Sequence, residues 1–288
     1  MDKLTKACAV LIPIGLVVSI AGGILMAVSE QPDFEAIKEV TYEGVAETVT
    51  DTTVIYSEND DLDDYDIPGS ISYNRDEAYS IVIDCTAASM NIYKNPSGYA
   101  IESNDMPQKY LSMECTDGTI TVTYDQKNLS DFDSGSLDIG IPDTCKNITI
   151  RCNAGDISVN DFIGESIDIS VSCGNIEISD SNINTSCKIN NTLGNVSIDE
   201  SVVCGLEAEL ISGNIEVYDS SLNNNNVIKV DVGNCYVKLN GNESDYSFNV
   251  SVKVGEVDCD HDLSGSHQSN NQVNISVIAG NCTIDFND

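Results

Sequence analysis

The stretch SIDISVSCGNIEISDSN, Ser166 to Asn182, decides the fold. Apolar residues alternate along its first half (Ile167, Ile169, Val171, Cys173). Gly174-Asn175 interrupts them, and alternation resumes with Ile176 and Ile178. Period two on both sides of a turn signal describes two strands, each with one buried face. The pattern recurs. Clear turns are Gly155-Asp156, Gly174-Asn175, Gly194-Asn195, Gly213-Asn214, Gly233-Asn234, Gly255-Glu256 and Gly280-Asn281, at spacings of 19, 20, 19, 20, 22 and 25 residues. Gly118-Thr119 and Gly135-Ser136 fit less well, and Ala88-Ser89 is a degenerate first copy.

Columns of equivalent positions carry the case. Two residues after each turn come Met90, Ile120, Leu137, Ile157, Ile176, Val196, Ile215, Cys235, Val257 and Cys282. Four after it come Ile92, Val122, Ile139, Val159, Ile178, Ile198, Val217, Val237, Cys259 and Ile284. Odd offsets before the turn are apolar as well, including Cys173, Val232, Val254 and Ala279, with Asn191 and Ser212 as exceptions. A buried Asn needs partners, so Asn191 is expected in an amide ladder or on a backbone kink.

Two topologies fit: a β-solenoid with one coil per repeat, or a meander in which Gly-Asn is a hairpin loop. Charge favours the solenoid. Stacked equivalent positions lie about 4.8 Å apart, so like charges should not adjoin on a strand face. Asp168, Lys188 and Glu207 alternate in sign, Glu209 would meet Lys229, and Asp231 would meet Lys253, whereas a hairpin would oppose Lys229 and Lys238. Asp260 against Asp285 runs the other way. The expected fold is all-β: a solenoid of about ten two-strand coils of ~20 residues, preceded by one transmembrane helix.

Outward from the repeats, the chain reads as three segments: residues 1–29, 30–75 and 76–288. ACAVLIPIGLVVSIAGGILMAV, Ala7 to Val28, would span about 33 Å as a helix, enough for a hydrocarbon core of about 30 Å. Lys3 and Lys6 precede it and acidic residues follow, which puts the N-terminus in the cytoplasm and the bulk of the chain outside the cell membrane. Cleavage after Ala27-Val28-Ser29 is the alternative. Residues 30–75 read as an acidic stalk around Glu58–Asp66, with strand propensity over Thr41–Ile55.

Anchor, acidic spacer and tandem G-N-[IV]-x-[IV] units such as LGNVSI (Leu193 to Ile198) and SGNIEV (Ser212 to Val217) resemble the bacterial DUF4097 family of candidate adhesins, including the head-GIN type. The resemblance covers about Tyr79 to Phe286 and implies a cell-surface β-strand-repeat protein. The shared motif is structural.

Function classes narrow accordingly. The formal charge is −34 with 13 Lys+Arg, which argues against nucleic acid as a partner. No catalytic residues and no cofactor are assigned: HExxH, phosphate-loop and triad spacings are absent. Arg151 reads as an ion-pair partner of Asp168. Of the 11 cysteines, those in the repeats read as small core residues that do not face one another across adjacent coils, with Cys204 in a connector. Asp258, Asp260, His261 and Asp262 are the only candidate metal ligands, in a nonspecific pattern within the 258–272 loop. Tyr218, Tyr236 and Tyr246 are candidates for an exposed aromatic patch. The expected function is a non-catalytic, membrane-anchored envelope protein with a structural or adhesive role, its partners the membrane and a glycan or surface protein. A regulatory accessory protein of the envelope is the alternative, and a polysaccharide-active enzyme comes third.

Overall fold

The structure is a computed structural model that describes residues 52–55, 69–73, 78–104, 110–124, 135–259 and 269–287. The apolar segment Ala7–Val28, most of the acidic stalk, and Asp260, His261 and Asp262 lie outside the described residues.

Strands that share an offset from the turn pair in parallel and in register. Past the turn, Ile157, Ile176, Val196, Ile215 and Cys235 form one continuous row. Before it, Ile150, Ile169, Ile189, Ala208 and Ile228 form another. The hairpin alternative is thereby excluded for this region. Each coil contributes one strand to each of two sheets, and the inward Ile, Val and Leu side chains of both sheets meet in a single core. A lone coil has no partner for its buried face, so the stack supplies the stability.

The turn explains the Gly-Asn signature. Gly174, Gly194, Gly213 and Gly233 have φ between 141° and 149°. A Cβ built on each would lie 1.7–2.0 Å from the carbonyl oxygen of the preceding turn glycine. No side chain fits there at any rotamer. The following Asn side chain then caps the next layer. Asn175 Oδ1 accepts from Asn195 N at 3.0 Å, Asn195 Oδ1 from Asn214 N at 3.0 Å, and Asn214 Oδ1 from Asn234 N at 2.9 Å. Asn191, fully buried at 2% exposure, donates its amide to the Gly174 carbonyl at 2.9 Å, so it braces the same corner.

Four expectations change. First, chain order is not stacking order. Strand Ser80–Ala87 sits directly on Asn147–Ala154, and Ser136–Ile141 lies beyond Ser89–Lys94. At the other end Gln272–Ala279 inserts between Asn225–Val232 and Ser247–Val254, and Cys282–Asn287 inserts between Cys235–Asn240 and Val257–Cys259. Among the described residues the turns stack as Ala88, Gly155, Gly174, Gly194, Gly213, Gly233, Gly280 and Gly255, and Thr119–Tyr124 with Ser136–Ile141 forms a ninth layer beyond Ala88, where about ten coils were expected. Aromatic bulk accompanies the inversion: Tyr246, Phe248 and Phe286 pack with centroids 5.9–6.1 Å apart where the terminal coil meets the inserted one.

Second, Asp117-Gly118 is a true hairpin turn between antiparallel strands Leu111–Thr116 and Thr119–Tyr124, not a coil corner. Both its residues have positive φ, as the right-handed twist of a hairpin demands. A further antiparallel set closes the opposite sheet, where Thr52–Ile55 pairs with Gly69–Tyr73, that strand with Tyr99–Asn104, and that in turn with Ser136–Ile141.

Third, the position just before the turn belongs to the corner, not the core. Cys173 is exposed and Val254 is 68% exposed, so the half-exposed Ser212 interrupts nothing.

Fourth, some expected pairings move. Lys188 meets Glu207 at 3.8 Å, and Lys229 meets Glu209. Arg151 instead pairs with Asp84 at 3.3 Å, because Ser80–Ala87 is its neighbour. Strand Gln272–Ala279 separates Asp231 from Lys253. Cys85 faces Cys152, and Cys235 faces Cys282.

The glycine stack sets a sharp expectation. Gly194→Ala should destabilise the protein by more than about 3 kcal/mol, since it combines forbidden φ with a backbone clash. Gly205→Asn, at φ 64°, occupies the left-handed region that Asn tolerates and should cost about 1 kcal/mol or less. Urea unfolding of both variants measures the difference.

Candidate functional site

The outward face of the post-turn sheet carries a chemically mixed cluster of rings, an ion pair and amides. Strand Cys235–Asn240 buries Cys235, Val237 and Leu239 and turns Tyr236 and Lys238 outward. Beside it, strand Ile215–Asn223 keeps register up to Val217↔Val237 and resumes at Ser220↔Leu239. Three steps on one strand oppose two on the other. This bulge lies at the corner where the chain passes from one sheet to the next, and bulges re-aim side chains. Asp219 takes φ 45°, which Asp accepts more readily than most residues.

The consequence is a compact cluster. Tyr218, 40% exposed, stacks on Tyr236 with centroids 6.2 Å apart and planes 21° apart. Lys238 Nζ stands 4.6 Å from the Tyr218 ring centre and donates to its hydroxyl at 3.4 Å. The same ammonium pairs with Asp219 Oδ1 at 3.2 Å. Asn287, from the inserted last strand, donates to Asp219 Oδ1 at 2.6 Å and to Asn240 Oδ1 at 2.8 Å, while Asn240 donates to the Asp219 carbonyl at 2.7 Å.

Electrostatics point away from proton transfer. The Asn287 amide, together with Lys238, holds the Asp219 carboxyl below the usual carboxylate range. The Asp219 hydrogen bond and then Tyr218 hold the Lys238 ammonium above its usual value. Both groups move away from neutrality, whereas a general acid or base works best with its pKa near operating pH. Two ring surfaces, an ammonium and amide groups on a firm sheet can recognise a ligand by stacking and hydrogen bonding.

Of the three tyrosines read from sequence, the structure brings together Tyr218 and Tyr236. Tyr246 is 4% exposed, donates its hydroxyl to the Asn240 carbonyl at 2.8 Å, and packs on Phe248 and Phe286. It belongs to the core because the inserted Cys282–Asn287 strand places Phe286 beneath it. Asp258 faces outward on Val257–Cys259, in the row of Thr283. Among the described residues no three His, Cys, Asp or Glu side chains gather as a metal site would require. Sequence reasoning missed Asp219, Lys238, Asn240 and Asn287. The one available signal was charge: Asp285 stands opposite Lys238 when the last strand takes its observed place.

Asn287→Ala tests this wiring. It should move the Asp219 carboxyl upward toward the ordinary range, read by NMR titration of the side-chain carbon. The sign for stability follows: the depressed Asp219 contributes stability that is present above its unfolded value and lost as pH falls through its folded value. The variant should therefore be less sensitive to acid than the parent. An unshifted Asp219 would contradict the contact.

Similar proteins complete the picture. No curated protein matches the chain. Similar solved structures include a candidate cell adhesion protein from Clostridium sporogenes, 14% identical, covering 77% of this chain and 100% of that one at a TM-score of 0.35. A candidate adhesin from Bacteroides fragilis is 14% identical over 77% and 97% of the two chains, TM-score 0.40. One from Parabacteroides distasonis is 10% identical over 77% and 96%, TM-score 0.30. The family model described as Toastrack DUF4097 matches residues 106–285, which takes in seven of the eight stacked turns. With its parallel two-sheet coils and glycine corners, the chain belongs to the Toastrack DUF4097 family.

Proposed function

We propose that this protein is a non-catalytic surface protein of the bacterial envelope, held at the membrane by residues 7–28, whose solenoid presents a recognition face to a carbohydrate. The stacked Tyr218–Tyr236 pair beside Lys238 carries the reading. Repeat strands need mostly polar outward residues, and although single apolar side chains such as Ile211 and Ile278 are also exposed, none of them gathers with two rings and a charge. Two rings and an ammonium gathered at one bulge exceed that need. Sugars offer C–H faces to aromatic rings and hydroxyls to amides, and the cluster supplies both kinds of partner.

Family membership supports a surface role, and the relatives' names speak of adhesion. The apolar stretch Ala7–Val28, with Lys3 and Lys6 before it, supports attachment at the membrane with the repeats outside.

The full chain in detergent micelles should bind a subset of a glycan array. Tyr236→Ala or Tyr218→Ala should weaken that binding about fivefold or more, from the loss of roughly 1 kcal/mol of ring contact. Tyr79→Ala, an exposed ring distant in sequence from the cluster, should leave it unchanged. Binding that ignores both cluster substitutions would refute this face as the recognition surface.

A further inference from the structure

Two cysteine pairs occupy the places where stacking order departs from chain order. Cys85 on Ser80–Ala87 is the in-register partner of Cys152 on Asn147–Ala154. Cys235 on Cys235–Asn240 is the in-register partner of Cys282 on Cys282–Asn287. All four side chains are buried on the core side. Within the sequential run of layers, a residue and its stacked partner lie 19 or 20 positions apart, as in Ile157↔Ile176 and Ile176↔Val196. Cys85 and Cys152 are 67 positions apart, and Cys235 and Cys282 are 47 apart. Between these breaks, no cysteine of the run faces another: Cys173 lies between Ala154 and Leu193, and Cys187 between Ile167 and Leu206.

We propose that Cys85–Cys152 and Cys235–Cys282 are disulfide sites, two covalent staples that fix the out-of-order coils at either end of the stack. Partners in adjacent strands lie about 4.8 Å apart, inside the 4.4–6.8 Å Cα range that a disulfide spans. Both Cβ atoms of each pair leave the same face of the same sheet, so the thiols point alongside one another. All four are free thiols in the structure, and in each pair the two sit close enough to perturb one another's ionisation. The loops closed are the long excursions 86–151 and 236–281, and the constraint a cross-link puts on the unfolded chain grows with loop length. A staple between any two sequential coils would close a much shorter loop. The residues are therefore placed where cross-links constrain the chain most.

The chemistry balances with a disulfide oxidant such as glutathione disulfide or an envelope dithiol–disulfide oxidoreductase. In the first pair Cys152 attacks as its thiolate. It takes one sulfur of the oxidant and expels the other as a thiol. Cys85 then displaces the bound sulfur. One S–S bond forms in the protein and one breaks in the oxidant. The two thiol protons and two electrons leave with the two thiols released. The same two-step exchange joins Cys235 and Cys282. Because the sulfurs are buried in the finished fold, closure occurs while the end coils are still docking or locally open.

Full-length protein should be reduced and unfolded in detergent, refolded in a glutathione redox buffer, alkylated with N-ethylmaleimide and digested without reduction. Mass spectrometry should find the Cys85–Cys152 and Cys235–Cys282 peptides linked and Cys187 alkylated. Absence of either link, or replacement by other pairings, overturns the proposal. A second readout needs no refolding. Folded, reduced protein incubated with glutathione disulfide should lose four hydrogens and gain about 5 °C or more in Tm, reversed by dithiothreitol. A variant with Cys→Ala at positions 85, 152, 235 and 282 should show neither change. An identical response from that variant overturns the assignment.

Discussion

Among the described residues, seven successive corners of the stack rest on a contact that leaves no room for a β-carbon. The turn glycine of one coil lies so close to the carbonyl of the coil before it that any side chain would overlap backbone. Spacing between coils is thereby fixed at the corner, not negotiated along the strands. The Asn or Asp side chain that follows the turn glycine then accepts the N–H of the following layer, so a donor that the turn would leave unpaired finds an acceptor one coil away. Strand register, core columns and the alternation of outward residues all inherit this spacing. The apolar rows supply most of the driving force, but the corner decides which residue sits on which.

How much of this was legible in the sequence can be judged residue by residue. The Ile and Val columns are local patterns with period two, and the Gly-Asn spacing adds an independent repeat, so coil identity and parallel stacking were readable. Stacking order was not, because equivalent coils present similar columns and only small differences choose among neighbours. One such difference was visible. Glu256 replaces the Asn or Asp that follows every other turn glycine from Gly155 onward; its N–H donates to Asn281 Oδ1, and among the described residues no further layer calls on its own side chain. A terminal coil needs no forward-reaching amide. Asp285, which chain order set against Asp260, lies in register with Lys238 instead. Like-charge avoidance was the right rule applied to the wrong sequence of layers.

The same rule has a boundary. Asp161, Asp180 and Glu200 occupy equivalent second corners, all with positive φ, and follow one another up the stack. They are exposed, and at a corner side chains splay into water where charges are screened. On the parallel strands of the coils, where side chains stand side by side, signs alternate or neutral residues intervene; Glu102 opposite Asp138 in the antiparallel set is an exception. The candidate site shows both regimes: Asp219 is the acidic corner that did acquire partners, because Lys238 and the inserted Asn287 reach it. Tyr218 and Tyr236 were identifiable from outward offsets, while Tyr246 was misread because it follows a connector and its burial depends on Phe286, forty residues later.

The inverted end also sets a timetable. Ser247–Cys259 leaves the ribosome before Gln272–Asn287, yet it rests on them. The earlier coil cannot take its final seat until the later one has been made. If it docks prematurely on Asn225–Val232, it must be dislodged as the rest of the chain arrives. Seating of this end of the stack is thus coupled to synthesis of Gln272–Asn287, and a chain interrupted before Gln272 lacks an interior layer instead of a cap.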